Sequence, residues 1–112
     1  MSYKIAFASS DGRIVNQHFA IARKFYIFRI KNKSAEFLEL RENDISGNDF
    51  EYLDEVMNKS VELISDCKII YVSRIGYGAL KVLEDKKIIV FRTPLFISNI
   101  IGKILSNKLF EI

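Results

Sequence analysis

Residues 68–79, KIIYVSRIGYGA, decide the fold. The first six form an apolar run bounded by polar residues, the pattern of a strand covered on both faces. Gly76 and Gly78 come next and open a predicted helix over 78–86, whose core face is Ala79, Leu80 and Leu83. KIIVF (87–91) then reads as another buried strand. Two strands of one sheet joined through a helix need a right-handed crossover, and so pair in parallel.

The flanking segments complete the sheet. YKIAFAS (3–9) is a predicted strand with Tyr3, Ile5 and Phe7 on one face and small Ala6 and Ala8 on the other. KFYIFRI (24–30) is dense in aromatic and β-branched residues, and KNKS (31–34) is a tight polar link to AEFLELR (35–41). These two predict an antiparallel hairpin, with Leu38 and Leu40 alternating with Glu39 and Arg41 across a half-solvated strand. Leu53, Val56, Met57, Ser60, Val61 and Ile64 share one helical face. Asn48 with Glu51 forms a capping-box pattern ahead of them, and Asp49 adds a favourable charge. Thr93-Pro94 reads as the start of a last helix, hydroxyl at the N-cap and proline at the first helical position. Its stripe is Ile97, Ile100, Ile101, Ile104 and Leu105, and Gly102 costs stability there unless a close contact needs it. The order β β β α β α β α predicts an α/β fold. A five-stranded mixed sheet with helices on its faces would occupy a single domain over 1–112.

Composition narrows the function classes. At 112 residues, 49% hydrophobic and 28% charged, the chain has ample material for one core. The net charge of +3 and a pI near 9.0 favour an anionic partner. Basic and acidic residues alternate throughout, without the basic stripe of a nucleic-acid binder, so no nucleic-acid partner is expected. No apolar run is long enough for a signal peptide or a membrane span, and no membrane partner is expected. The single cysteine, Cys67, excludes an intramolecular disulfide and an all-cysteine metal site, and fits a reducing, cytoplasmic compartment.

In sheets of this kind ligands sit beyond the carboxyl ends of the parallel strands. If the first, fourth and fifth strands are neighbours, residues 9–18, 73–78 and 92–94 share that rim. They bring Ser9, Ser10, Asp11, Arg13, Asn16, His18, Ser73, Arg74, Gly76, Gly78, Arg92 and Thr93. Three arginines and the only histidine face a single carboxylate there, and two helices begin there. Helix N-termini offer unpaired N–H groups to anions, and glycines let a ligand approach the backbone. Anion reception is the chemistry on offer, with His18 as one possible metal ligand.

KIAFASSDGRIVNQHFA (4–20), DCKIIYVSRIGYGA (66–79) and KKIIVF (86–91) together resemble the dinitrogenase iron-molybdenum cofactor biosynthesis family. That family contains small carriers of nitrogenase cofactor or its precursor cluster, and a domain appended to the enzyme that makes the precursor. The resemblance implies a ribonuclease-H-like fold and binding of an anionic metal–sulfur cluster as cargo. The histidine of the family's H-F-G motif falls on His18, as ligand to iron–molybdenum cofactor or an iron–sulfur precursor. Ala20 stands where that motif usually has glycine. Nitrogenase cofactor assembly proteins are the implied partners.

Each of these residues also has a plainer reading. Phe19 plugs the core, Asp11-Gly12 is a turn with glycine at positive φ, and Ser9 and Ser10 satisfy nearby backbone. Gly76 and Gly78 serve the bend from strand to helix, and Arg74 pairs with a carboxylate. Cys67, at the opposite pole, is a small buried hydrophobe. No carboxylate cluster suits a two-metal nuclease, and no nucleophile has an evident base, so no enzyme is expected. Two functions stay open: a cluster carrier, or a non-catalytic regulatory module binding another small anion or a protein.

Overall fold

The computed structural model describes residues 2–43 and 53–106, with the backbone alone for 53–56. Its strands are β1 (Ser2–Ala8), β2 (Lys24–Lys31), β3 (Ser34–Glu42), β4 (Ile69–Val72) and β5 (Ile89–Arg92). Its helices are α1 (Leu53–Leu63), α2 (Tyr77–Asp85) and α3 (Ile97–Leu105). The strands form one sheet in the order β3-β2-β1-β4-β5. β1, β4 and β5 pair in parallel, and β2 alone is reversed, antiparallel to both its neighbours, β1 and β3. This is the mixed five-stranded sheet that the sequence predicts.

Period-two alternation sorts the strand side chains into two cores. Ala6, Ala8, Ile70 and Val72 face α1 and α2, where Phe19, Phe25, Ile64 and Leu83 fill the space left by the alanines. Ile5, Phe7, Ile69 and Tyr71 face the other way, under Ile97, Ile100 and Ile104 of α3. Phe7, Tyr71 and Phe91 stack across three strands with ring centroids 5.1 Å apart. At the amino pole Asp66 gathers the ends. It receives Lys4 at 2.9 Å and both Nη atoms of Arg41, whose Nη1 also donates to the Leu63 carbonyl at the end of α1.

Three sequence expectations need adjustment. A β-bulge between Ile27 and Phe28 skips Leu38. Leu38 therefore packs on the α1/α2 core, while Leu40, opposite Tyr26, is 37% exposed. The fifth strand starts at residue 89 because α2 ends in a Schellman turn. Lys87 holds φ +65°, and the Ile88 and Lys87 amides donate back to the Leu83 and Glu84 carbonyls. The last helix begins at Ile97, not at Thr93-Pro94, and its N-cap is Phe96. Phe96 is held extended instead, because its neighbours are pinned to the loop after β1: Val15 N–H donates to Leu95 O at 3.0 Å, and Ile97 N–H to Arg13 O at 2.8 Å. Tertiary pairing with the loop after β1 overrides the local capping signal. Gly102 has no close contact to explain it, since a Cβ there would meet nothing within 4 Å. The capping box at Asn48, Asp49 and Glu51 lies outside the described residues.

Candidate functional site at the carboxyl rim of the parallel strands

The parallel strands end side by side, and their continuations stay paired. Val72 stands opposite Arg92, and Thr93 N–H donates to Val72 O at 3.0 Å. On the other flank Ser73 N–H donates to Gln17 O at 3.0 Å, and Phe19 N–H to Arg74 O at 2.9 Å. His18 and Arg74 therefore form a parallel bridge beyond β1 and β4. Segment 73–74 is flanked by 17–19 on one side and 92–93 on the other, so the three distant pieces of chain do meet.

The bridge forms because residues 9–16 leave β1 as a closed excursion and return to its end. Asn16 and Gln17 N–H groups both donate to Ala8 O, at 3.3 Å. Inside the excursion the polar side chains bond one another and the backbone. The Ser9 hydroxyl accepts the Gly12 N–H at 2.9 Å and itself donates to Asp11, beneath the surface at 0% exposure. Asp11 Oδ1 accepts the Arg13 and Ile14 N–H groups at 2.9 and 3.3 Å, which hold its carboxyl below the usual carboxylate range. Asn16 and Ser10 exchange bonds, Ser10 N–H to Asn16 Oδ1 and Asn16 Nδ2 to Ser10 Oγ, both 2.9 Å. Gly12 takes φ +76° against the Tyr26 ring, where a Cβ would lie 2.7 Å from Cε2. Ser9 thus lies under the rim rather than on it, and Ser10 and Asn16 brace its loop.

His18 is half-buried, with φ −73° and ψ 135°, and caps a single 3-10 turn over Phe19–Ile21. Its Nδ1 accepts the Ala20 N–H at 3.1 Å. Phe19 is fully buried in the α1/α2 core and its N–H is held by the Arg74 carbonyl, so the backbone that carries His18 is anchored. Arg74 and Arg92 are exposed on either side of Ser73 and Thr93, and neither makes an ion pair among the described residues. Arg13 is separate. It lines a cleft of about 360 Å³ on the α3 side, with Phe28, Phe96, Ile97 and Ser98.

Both helices that start at the rim lack a side-chain cap, with Gly76 at the N-cap of α2 and Phe96 at that of α3. In α3 the Arg13 carbonyl takes the first N–H, that of Ile97, at 2.8 Å, whereas the first N–H groups of α2 have no side-chain cap. Gly76 has φ −74°, an ordinary value, and a Cβ on either Gly76 or Gly78 would meet nothing within 4 Å. The bend from strand to helix therefore does not demand glycine at these positions. What two glycines achieve is an uncovered helix terminus.

Two features were not legible in the sequence: the engagement of His18 Nδ1 with Ala20, and the apolar collar. Ile21, Tyr77, Leu95 and Phe96 are 49%, 71%, 41% and 48% exposed, all on segments bordering the rim. Cys67 lies at the other pole, buried, and burial pushes its thiol up to about 12. A metal-bearing ligand at the rim would find one imidazole, guanidinium groups and backbone N–H groups. Among the described residues no three of histidine, cysteine, aspartate and glutamate group to hold a metal ion.

A family model, dinitrogenase iron-molybdenum cofactor, matches residues 1–107. The chain belongs to the dinitrogenase iron-molybdenum cofactor family. It is 30% identical over 83 residues to Protein NifX of Azotobacter vinelandii, covering 71% of this chain and 49% of that protein. It is 31% identical over 84 residues to the FeMo cofactor biosynthesis protein NifB of Frankia alni, covering 72% of this chain and 16% of NifB. The chain therefore spans about half of NifX and a small part of NifB. The fold is that of the crystal structure of PH0822, with a TM-score of 0.71 at 22% identity over 94% of this chain and 92% of that one. A Methanocaldococcus jannaschii structure gives 0.63 at 14% identity, covering 96% and 92%. Membership places the chain in a family associated with FeMo cofactor biosynthesis, and no helix among the described residues is long and apolar enough to cross a membrane.

Proposed function

We propose that the chain is a non-catalytic carrier for an anionic metal–sulfur cluster, either iron–molybdenum cofactor or an iron–sulfur precursor, in nitrogenase cofactor assembly. The observation that carries this reading is the side-by-side placement of His18 and Arg74 at a rim where two helices start without a side-chain cap. His18 supplies the one nitrogen ligand, while Arg74, Arg92 and the N–H groups of α2 balance the cluster's charge. A site with so few covalent contacts suits cargo that must be handed on. Ser73, Gly76, Gly78 and Thr93 shape the floor; Ser9, Ser10 and Asn16 act through the loop that carries His18; Arg13 contributes long-range charge. The cytoplasm is the proposed compartment, in keeping with one unpaired buried thiol. Anaerobic titration with isolated iron–molybdenum cofactor tests the proposal, read by bound iron and visible absorbance, with His18→Ala expected to weaken uptake.

A second reading, a regulatory or interaction module for another small anion or a protein, draws on the apolar collar of Ile21, Tyr77, Leu95 and Phe96. The same collar would seat a cofactor assembly protein during transfer. Protein that stays colourless and iron-free after anaerobic purification and after loading attempts would favour this second reading.

A further inference from the structure

We infer that His18 cannot ligate a metal and cap its own turn at the same time, so metal capture opens the turn at residues 20–21 and release closes it. The inference rests on the reading above that His18 is the residue that meets the cargo, and adds how the contact is made and broken.

A neutral imidazole has one N–H and one lone pair. In this structure the lone pair on Nδ1 accepts the Ala20 N–H at 3.1 Å. The proton is therefore on Nε2, and the ring presents outward a hydrogen-bond donor rather than a ligand. Metal binding through Nε2 requires that proton to leave for solvent and another to be taken up on Nδ1, while the Nε2 lone pair goes to the metal. The new Nδ1–H would then point at the Ala20 N–H, donor against donor. Binding through Nδ1 displaces the Ala20 N–H directly. On either route the cap is lost.

The surrounding chain confines the consequence to two residues. Phe19 and Ala22 are both fully buried, and Phe19 N–H is held by Arg74 O at 2.9 Å. Between them Ala20 and Ile21 are exposed. Ile21 N–H donates to His18 O at 3.1 Å, a bond that shares the fate of the turn. The capped turn is thus a spring across the ligand: it competes with the metal, and its re-formation favours release. Before the cap breaks, the Nε2–H can only hydrogen-bond an acceptor, as a cluster sulfide is, which makes a first, outer contact.

The test uses NMR of the intact chain with Zn²⁺ alone as probe. Long-range ¹H–¹⁵N correlation of the unloaded protein is expected to show Nε2–H with Nδ1 accepting a bond; an Nδ1–H tautomer would overturn the inference. On Zn²⁺ titration, the ring nitrogen shift that reports binding at His18 is expected to coincide with at least a fivefold faster exchange of the Ala20 amide. Zn²⁺ on the imidazole with unchanged Ala20 exchange would overturn it. His18→Asn, which can still cap, is expected to keep Ala20 protected and lose the metal-induced change; faster Ala20 exchange on Zn²⁺ addition in that variant would count against the inference. Ala20→Gly, which loosens the turn, is expected to tighten Zn²⁺ binding by about two- to fivefold; equal or weaker binding would count against it. If all four results hold but isolated cofactor is never taken up, the carrier reading fails and this inference stands; uptake of cofactor with Ala20 undisturbed gives the reverse.

Discussion

His18 and Arg74 are neighbours across a parallel bridge, and the bond that holds them there, Phe19 N–H to Arg74 O, uses only the arginine's backbone. The exposed Arg74 side chain makes no ion pair among the described residues and is available for a ligand. Arg74→Ala is expected to leave the melting temperature within about 2 °C of wild type, as for surface changes worth a few tenths of a kcal/mol. Cluster uptake is expected to weaken several-fold, with the deficit shrinking as salt rises. Arg74→Lys should restore most of the uptake, and a titration series at two ionic strengths checks all three statements.

The loop that delivers His18 depends on Gly12. Its φ of +76° and the Tyr26 ring 2.7 Å from a would-be Cβ both exclude a side chain. Gly12→Ala is expected to cost about 1–3 kcal/mol. Chemical denaturation measures that loss, and cluster uptake should fall with it, because a displaced loop misplaces His18.

Lys87 and Gly102 have exchanged the residues that local physics prefers. Lys87 occupies a left-handed C′ position at φ +65°, and Gly102 sits in α3 with open space where a Cβ would go. Lys87→Gly and Gly102→Ala are each expected to stabilise the protein by about 0.5–1 kcal/mol. The sites belong to different helices, one past the end of α2 and one inside α3, and their effects should add, which thermal melts of the double variant would show.

Most of the architecture was legible because it is written in local pattern. The apolar run at 68–73 could only be a covered strand, and the split of Ile5 and Phe7 from Ala6 and Ala8 correctly assigned the two cores. What escaped was settled by partners distant in the chain. Thr93-Pro94 has a helix-start signature, yet the next residues are pinned to Arg13 and Val15. Ser9 reads as a rim hydroxyl until the loop folds over it. The rim itself could be listed from strand ends alone, but the separation of Arg13 onto the α3 side and the engagement of His18 with Ala20 depend on how one short loop closes.

Stability at high pH should fall through two buried groups. Burial raises the Cys67 thiol to about 12 and raises the Tyr71 phenol further, both above their unfolded values of about 8.5 and 10. Each is neutral when folded, so its contribution is complete below the unfolded pKa and drains away as pH rises towards the folded one. Unfolding free energy should therefore decline from about pH 9 upward. The Tyr71 hydroxyl is also buried without a hydrogen-bond partner among the described residues. Tyr71→Phe is expected to gain about 1 kcal/mol at pH 7 and to flatten the alkaline decline, as denaturant melts across pH would record.

Anaerobic titration of the protein with isolated iron–molybdenum cofactor, followed by iron per chain after desalting, tests the carrier assignment most directly. The expected result is saturable uptake approaching one cluster per chain in the wild type, sharply reduced in His18→Ala with the fold intact. Absence of retained iron in the wild type, or equal retention by His18→Ala, would contradict it.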